Sequence, residues 1–98
     1  MTTLRPNLYR TIQRIPKGKV TTYGILAKHF QTSPRAIASM LAANTELDLY
    51  PCYKIIHTDG TIGGYGGGVP EKIRRLEADG IKIVEGRIDL EKYRFGEF

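Results

Sequence analysis

Six of the eleven glycines in this 98-residue chain fall between Gly60 and Gly68, interrupted only by Thr61, Ile62 and Tyr65. Neither a helix nor a regular strand interior tolerates that density, because glycine adds backbone entropy to be lost on folding and offers no side chain to pack. The stretch must be a loop whose backbone approaches something closely. A phosphate-cradling loop is a poor match, since no Gly-Lys-Ser/Thr ending follows.

Ahead of this loop the pattern is helical. Leu8, Ile12 and Ile15 recur at helical spacing between Pro6 and Pro16, which predicts a first short helix with Asn7 as its candidate N-cap. Pro16-Lys17-Gly18-Lys19 breaks it. A second helix follows Val20-Thr21-Thr22, with Tyr23, Leu26, Ala27 and Phe30 on one inward face and an end near His29 to Gln31. Ser33-Pro34 then signals a third helix, to about Ala43, because the serine hydroxyl can cap free N–H groups and proline suits the first helical position. Two helices joined by a short polar turn form the pattern of a helix-turn-helix. On the third helix Ile37, Met40 and Leu41 make the apolar face, while Arg35, Ala38, Ser39 and Ala42 gather on another side. That second face is small enough to let the backbone approach a partner; close packing against another helix is the alternative.

After Leu49-Tyr50-Pro51, the segment Cys52 to Ile56 reads as a turn leading into a buried extended strand. Beyond the glycine loop, Glu71 to Ala78 is a charged helix with Ile73 and Leu76 inward, ended by Asp79-Gly80. Ile81, Ile83, Ile88, Leu90, Tyr93 and Phe95 supply apolar anchors for the tail. The expected fold is mainly α with a small β element, in one domain over residues 1–98, a length that supports one compact core.

Fifteen Lys and Arg against ten Asp and Glu give a formal charge of +5, which favours a polyanionic partner such as nucleic acid, although a solvated basic surface would read the same way. One cysteine and two histidines exclude an internal disulfide and fall short of a structural zinc set, so no metal is expected. The N-terminus has no signal-peptide core, and no window approaches the ~20 apolar residues of a membrane span. The expectation is an intracellular, cytoplasmic protein that does not engage a membrane.

The order of these pieces resembles the catalytic domain of the O6-alkylguanine-DNA alkyltransferases and their shorter relatives, the alkyltransferase-like proteins. The resemblance rests on Pro16 to Gly24, Pro34-Arg35-Ala36-Ile37, Asn44, Pro51-Cys52 and Gly60 to Tyr65, and runs from about Leu8 to Phe95. It implies a winged helix-turn-helix DNA-binding domain of alkyltransferase type. It also implies that Cys52 takes an alkyl group from O6-alkylguanine in double-stranded DNA, once per molecule and without a cofactor. The family's usual string is Pro-Cys-His-Arg, whereas this chain reads Pro51-Cys52-Tyr53-Lys54. In the alkyltransferase-like proteins the cysteine itself is replaced and damaged DNA is bound without repair, so the chain shares its short length with one group and its nucleophile with the other.

The resemblance carries further roles residue by residue. Tyr53 stands where the family has the histidine that activates the thiol through a water, and Asp79 where it has the supporting acid. A tyrosine is a poor base at neutral pH. Tyr23 matches the tyrosine that contacts the extruded nucleotide and protonates the leaving guanine, with Thr22 beside it on the DNA side. Arg35 matches the finger that fills the gap left by the extruded base, on a helix that enters the minor groove through Ala38, Ser39 and Ala42. Asn44 matches the hinge asparagine. Pro51, Lys54, Tyr65 and Gly66 match the pocket and its supports, with Gly66 where a serine often occurs. A monomer fits the pattern, and a partner repair nuclease is a possibility the resemblance leaves open. Two readings compete with transfer: a lesion binder that flags damage for another pathway, and a winged-helix transcriptional regulator. Cys52 would then be a small buried hydrophobe without reactivity.

Overall fold

The computed structural model describes residues 4–98. Helix α1 spans Leu4–Ile12 and buries Leu8, Thr11 and Ile12. Asn7 therefore lies inside this helix and is not its N-cap; its side chain accepts from the Arg10 guanidinium. The early start is possible because Pro6 sits in the first turn, where a missing N–H removes no helical bond.

Strand β1 (Thr21–Thr22) runs directly into α2 (Tyr23–Phe30). Thr22 ends the strand and caps the helix, its hydroxyl accepting from the Ile25 N–H at 3.1 Å. Gln31 closes α2 in the left-handed conformation at φ 56°. Two residues on, Ser33 caps α3 (Pro34–Ala42) by accepting from the Ala36 N–H at 3.1 Å. The helix-turn-helix inferred from Ser33-Pro34 is thus present, with Ile37 and Leu41 buried between α3 and the body.

A single 3₁₀ turn, Cys52–Lys54, leads into β2 (Ile55–Ile56). Strand β2 pairs in parallel with β1, Thr21 opposite Ile55 and Thr22 opposite Ile56. This pairing sets the start of α2 beside the Cys52 turn, although Tyr23 and Cys52 are 29 positions apart in the chain.

Helix α4 spans Val69–Ala78, two residues earlier than the sequence pattern predicts, because Pro70 again suits a first turn. Its inward face also differs from expectation. Leu76 is buried as expected, but the other fully buried residue is Lys72, while Ile73 is only half-buried. The tail forms a hairpin of β3 (Ile83–Val84) and β4 (Arg87–Ile88). Its turn residues Glu85 and Gly86 both have positive φ, the geometry of a tight two-residue hairpin turn. A last short helix, α5 (Leu90–Tyr93), was not legible in the alternating apolar pattern; Asp89 caps it by accepting from Glu91. The tail is tied back through Val20, which donates to Tyr93 and accepts from Phe95. Gly60 makes this closure possible, because a Cβ there would stand 2.9 Å from the Ile88 carbonyl oxygen.

The buried apolar residues form two clusters, one joining α1, α2, α3 and the Cys52 turn, the other joining β2, α4 and the tail. Among the described residues, no helix is long and apolar enough to cross a membrane.

Candidate functional site

The apolar face of α3 holds the helix to the body, so its other face is turned outward. Arg35, Ser39 and Ala42 are exposed and Ala38 is half-buried. Beneath this face lies a cavity of about 380 Å³ lined by residues of α2, α3, the Cys52 turn and the glycine loop, among them Tyr23, Cys52, His57 and Tyr65. Its volume is within the range of small-ligand sites. Cys52 is 7% exposed.

Asn44 positions this cysteine. Its amide Nδ2 donates to the Tyr50 carbonyl at 3.0 Å and approaches Cys52 Sγ at 3.5 Å, while its Oδ1 accepts from the Glu46 N–H at 2.8 Å. One buried side chain therefore joins the end of α3 to the segment that presents the thiol. Burial pushes the Cys52 thiol above its ordinary pKa, and the Asn44 hydrogen bond and the Lys72 ammonium pull it back only in part.

Tyr53 points away from a role as base. Its hydroxyl donates to Asp79 Oδ2 at 2.6 Å, and burial together with that bond raises its pKa far above the ordinary tyrosine value. Tyr53 and Asp79 thus meet, as the resemblance implied, but as a closed pair. Lys54 is also engaged elsewhere: its buried Nζ donates to the Ile15 carbonyl at 2.9 Å, pinning the turn to the segment after α1. Pro51 precedes the turn and is half-buried. Thr22, 2% exposed and occupied as the cap of α2, positions Tyr23 and presents little surface of its own.

On the cavity side, Tyr23 and Tyr65 have pKa values raised chiefly by burial, so both keep their protons at neutral pH. The Tyr65 hydroxyl is buried with no hydrogen-bond partner among the described residues. Gly66 leaves room for a larger residue: a Cβ there would meet nothing nearer than Leu47 Cδ2 at 3.7 Å. The loop carrying Leu47 is held over α4 by Asp48, which accepts from Arg75 at 2.5 Å.

Two residues at the site were missed in the sequence. Lys72 is fully buried, its Nζ donating to the carbonyls of Ile55 at 2.6 Å and Gly64 at 3.0 Å. Burial lowers its pKa to about 8, and the one charge opposing that shift is the Cys52 thiolate. Its signal was the four-residue spacing to Leu76, which puts both on one face of α4. His57 lines the cavity one residue after β2, and nothing in its local pattern marked it.

These features define a helix-turn-helix DNA-binding domain built around one buried cysteine. The 6-O-methylguanine DNA methyltransferase, DNA binding domain family matches residues 3–81, and the chain belongs to that family. It is 50% identical over 93 residues to a bifunctional methyltransferase/endonuclease of Picrophilus torridus, covering 93% of this chain and 31% of that protein. A methylated-DNA–protein-cysteine methyltransferase of Saccharolobus islandicus is 43% identical over 81 residues, 83% of this chain and 53% of that protein. The chain therefore spans about a third of the one relative and about half of the other. The S. pombe protein Atl1, solved in complex with damaged DNA containing O6-carboxymethylguanine, superposes with a TM-score of 0.86 at 24% identity, over 97% of this chain and 96% of that one. That likeness establishes the fold.

Proposed function

We propose that this chain repairs DNA directly, by transferring an alkyl group from O6-alkylguanine in duplex DNA to Cys52. The observation that carries the proposal is the placement of the thiol in a cavity of about 380 Å³ under the small-residue face of α3. Residues 1–98 act as one unit in this reading. Helix α3 enters the minor groove with Ala38, Ser39 and Ala42 against it, and Arg35 fills the space of the extruded guanine. Thr22 supports Tyr23 on the same side, and Pro51 and Asn44 hold the turn.

The Cys52 sulfur attacks the alkyl carbon, forming the S–C bond as the C–O6 bond breaks. Its electron pair passes to guanine, which takes up one proton, so the proton lost by the thiol is balanced. Tyr23, protonated at neutral pH, donates that proton and is reprotonated through solvent by the one the thiol releases. The unpartnered Tyr65 hydroxyl is free to bond the guanine edge, and Lys72 supplies the positive charge that favours the thiolate. The thioether has no exit route here, so each chain acts once.

A second reading, a lesion binder that does not transfer, is favoured by one observation: Tyr53 is bonded to Asp79 and offers the thiol no base. Either reading accommodates a nuclease acting alongside, since the P. torridus relative is a bifunctional methyltransferase/endonuclease of which this chain spans 31%. A monomer suffices for both.

Intact-protein mass after incubation with a duplex containing one O6-methylguanine separates the readings. The expected result is a gain of one methylene mapped to Cys52, absent in Cys52→Ala and with undamaged duplex. Tight, damage-selective binding without a mass gain would place the chain with the lesion binders.

A further inference from the structure

The chain's two histidines are His29 and His57, and His57 lines the Cys52 cavity. It is exposed, whereas the thiol is buried, so the imidazole stands at the mouth and the nucleophile at the floor. Two neighbours lie close to the ring. On one side the Tyr23 ring lies 5.3 Å away at 44°. On the other is the α-carbon of Gly63, where an added Cβ would come within 3.1 Å of Nε2 and 3.3 Å of Cδ2. Gly63 has φ 78°, which disfavours any larger residue and keeps that space open.

The backbone is equally constrained. The His57 N–H donates to the Thr61 carbonyl at 3.0 Å, and the His57 carbonyl accepts from Gly60 at 2.9 Å. Among the described residues the ring itself makes no hydrogen bond. An exposed imidazole beside Tyr23 and Gly63, with its nitrogens unbonded among the described residues at the mouth of a cavity, is available to something that enters the cavity.

Geometry limits what that is. A guanine delivering its O6 substituent to Cys52 enters with that edge first, so its sugar and phosphate remain at the mouth. We infer that His57 binds the backbone phosphate of the extruded nucleotide and so selects a guanine carried on DNA over the free base. This rests on the base-extrusion reading above. An imidazole nitrogen donating to a phosphate oxygen is a strong, directional contact, and it would hold the nucleotide out while Tyr23 meets the base.

The test compares two alkyl donors that differ in the phosphate: a duplex containing O6-benzylguanine, and the free base O6-benzylguanine. In His57→Ala the ratio of duplex rate to free-base rate is expected to fall about tenfold, the scale of one charge-assisted hydrogen bond. His57→Lys, which supplies another N–H donor long enough to reach phosphate, should recover most of that ratio. An unchanged ratio, whether both rates fall together or neither does, would overturn the inference and leave His57 as a wall of the base pocket. If the wild-type chain transfers no alkyl group, direct transfer fails but the inference is still read by binding. Affinity for the damaged duplex should drop about tenfold in His57→Ala and return in His57→Lys, and equal affinity in all three proteins would overturn it.

Discussion

Tyr53 and Tyr65 both stand near Cys52, yet only one of their hydroxyls is partnered. Tyr53 donates to Asp79 at 2.6 Å, its ring between the Lys54 and Arg75 cations. Tyr65 lines the cavity with a buried hydroxyl that bonds nothing among the described residues. A buried polar group without a partner costs about 1–3 kcal/mol. The Tyr53 side is built like a structural joint, and the cavity side like a site awaiting a ligand. The groups that pull the thiol pKa down against burial are Asn44 and Lys72, not the Tyr53–Asp79 pair.

The largest effect expected from breaking that contrast is at Lys72. Lys72→Met should slow transfer at neutral pH by at least about tenfold, since it removes a positive charge interacting with the thiolate in a poorly solvated site. Met fills a similar volume but leaves the Ile55 and Gly64 carbonyls without their donor, so the variant should be less stable by about 1–3 kcal/mol and its folding is checked by circular dichroism. Iodoacetamide alkylation of Cys52 gives a readout free of DNA. Since burial raises the thiol pKa, the wild-type rate should still be climbing at a pH where free cysteine has reached its plateau. As Lys72 loses its proton near pH 8, its assistance fades and the rise becomes shallower. Lys72→Met should lie below the wild type throughout the lower range. Coincident profiles would show that Lys72 only ties β2 to the glycine loop.

Tyr65→Phe sharpens the comparison from the other direction. It should raise the stability of the free protein by about 1 kcal/mol in denaturant unfolding while slowing transfer about tenfold, because the hydroxyl it removes bonds only the substrate. A loss of stability would mean that the hydroxyl is satisfied in solution. The smallest effect is expected at Gly66→Ser. The space beside Gly66 admits the side chain, and a hydroxyl that reaches guanine should tighten damaged-duplex binding about fivefold. No change in affinity would mean that the loop holds that hydroxyl away from the base.

Much of the fold was readable because it rests on local rules. Ser33-Pro34 capped α3 where expected, and the spacing of Ile37 and Leu41 separated the buried face from the one holding Arg35 and Ser39. What stayed hidden was non-local. The parallel pairing of Thr21 with Ile55 joins segments far apart in the chain and helps bring Tyr23 to Cys52. Lys72 escaped because a charged residue on a charged helix reads as solvent-facing unless its inward partners, the carbonyls of Ile55 and Gly64, are known. Asn7 misled because a serine- or asparagine-type cap and a proline in the first turn compete to set the same boundary. Of the residues named by motif, Tyr23, Ala38, Ala42, Cys52, Tyr65 and Gly66 line one cavity, whereas Tyr53 and Asp79 pair with each other and Lys54 and Thr22 hold other elements.

The most direct test of the account is the single-turnover rate of methyl transfer from an O6-methylguanine duplex by Tyr53→Phe and Lys72→Met beside the wild type. Transfer that persists within a few-fold in Tyr53→Phe and collapses in Lys72→Met, with both proteins folded, is the predicted result. Collapse in Tyr53→Phe with full activity in Lys72→Met would contradict it and return activation of the thiol to the Tyr53–Asp79 side.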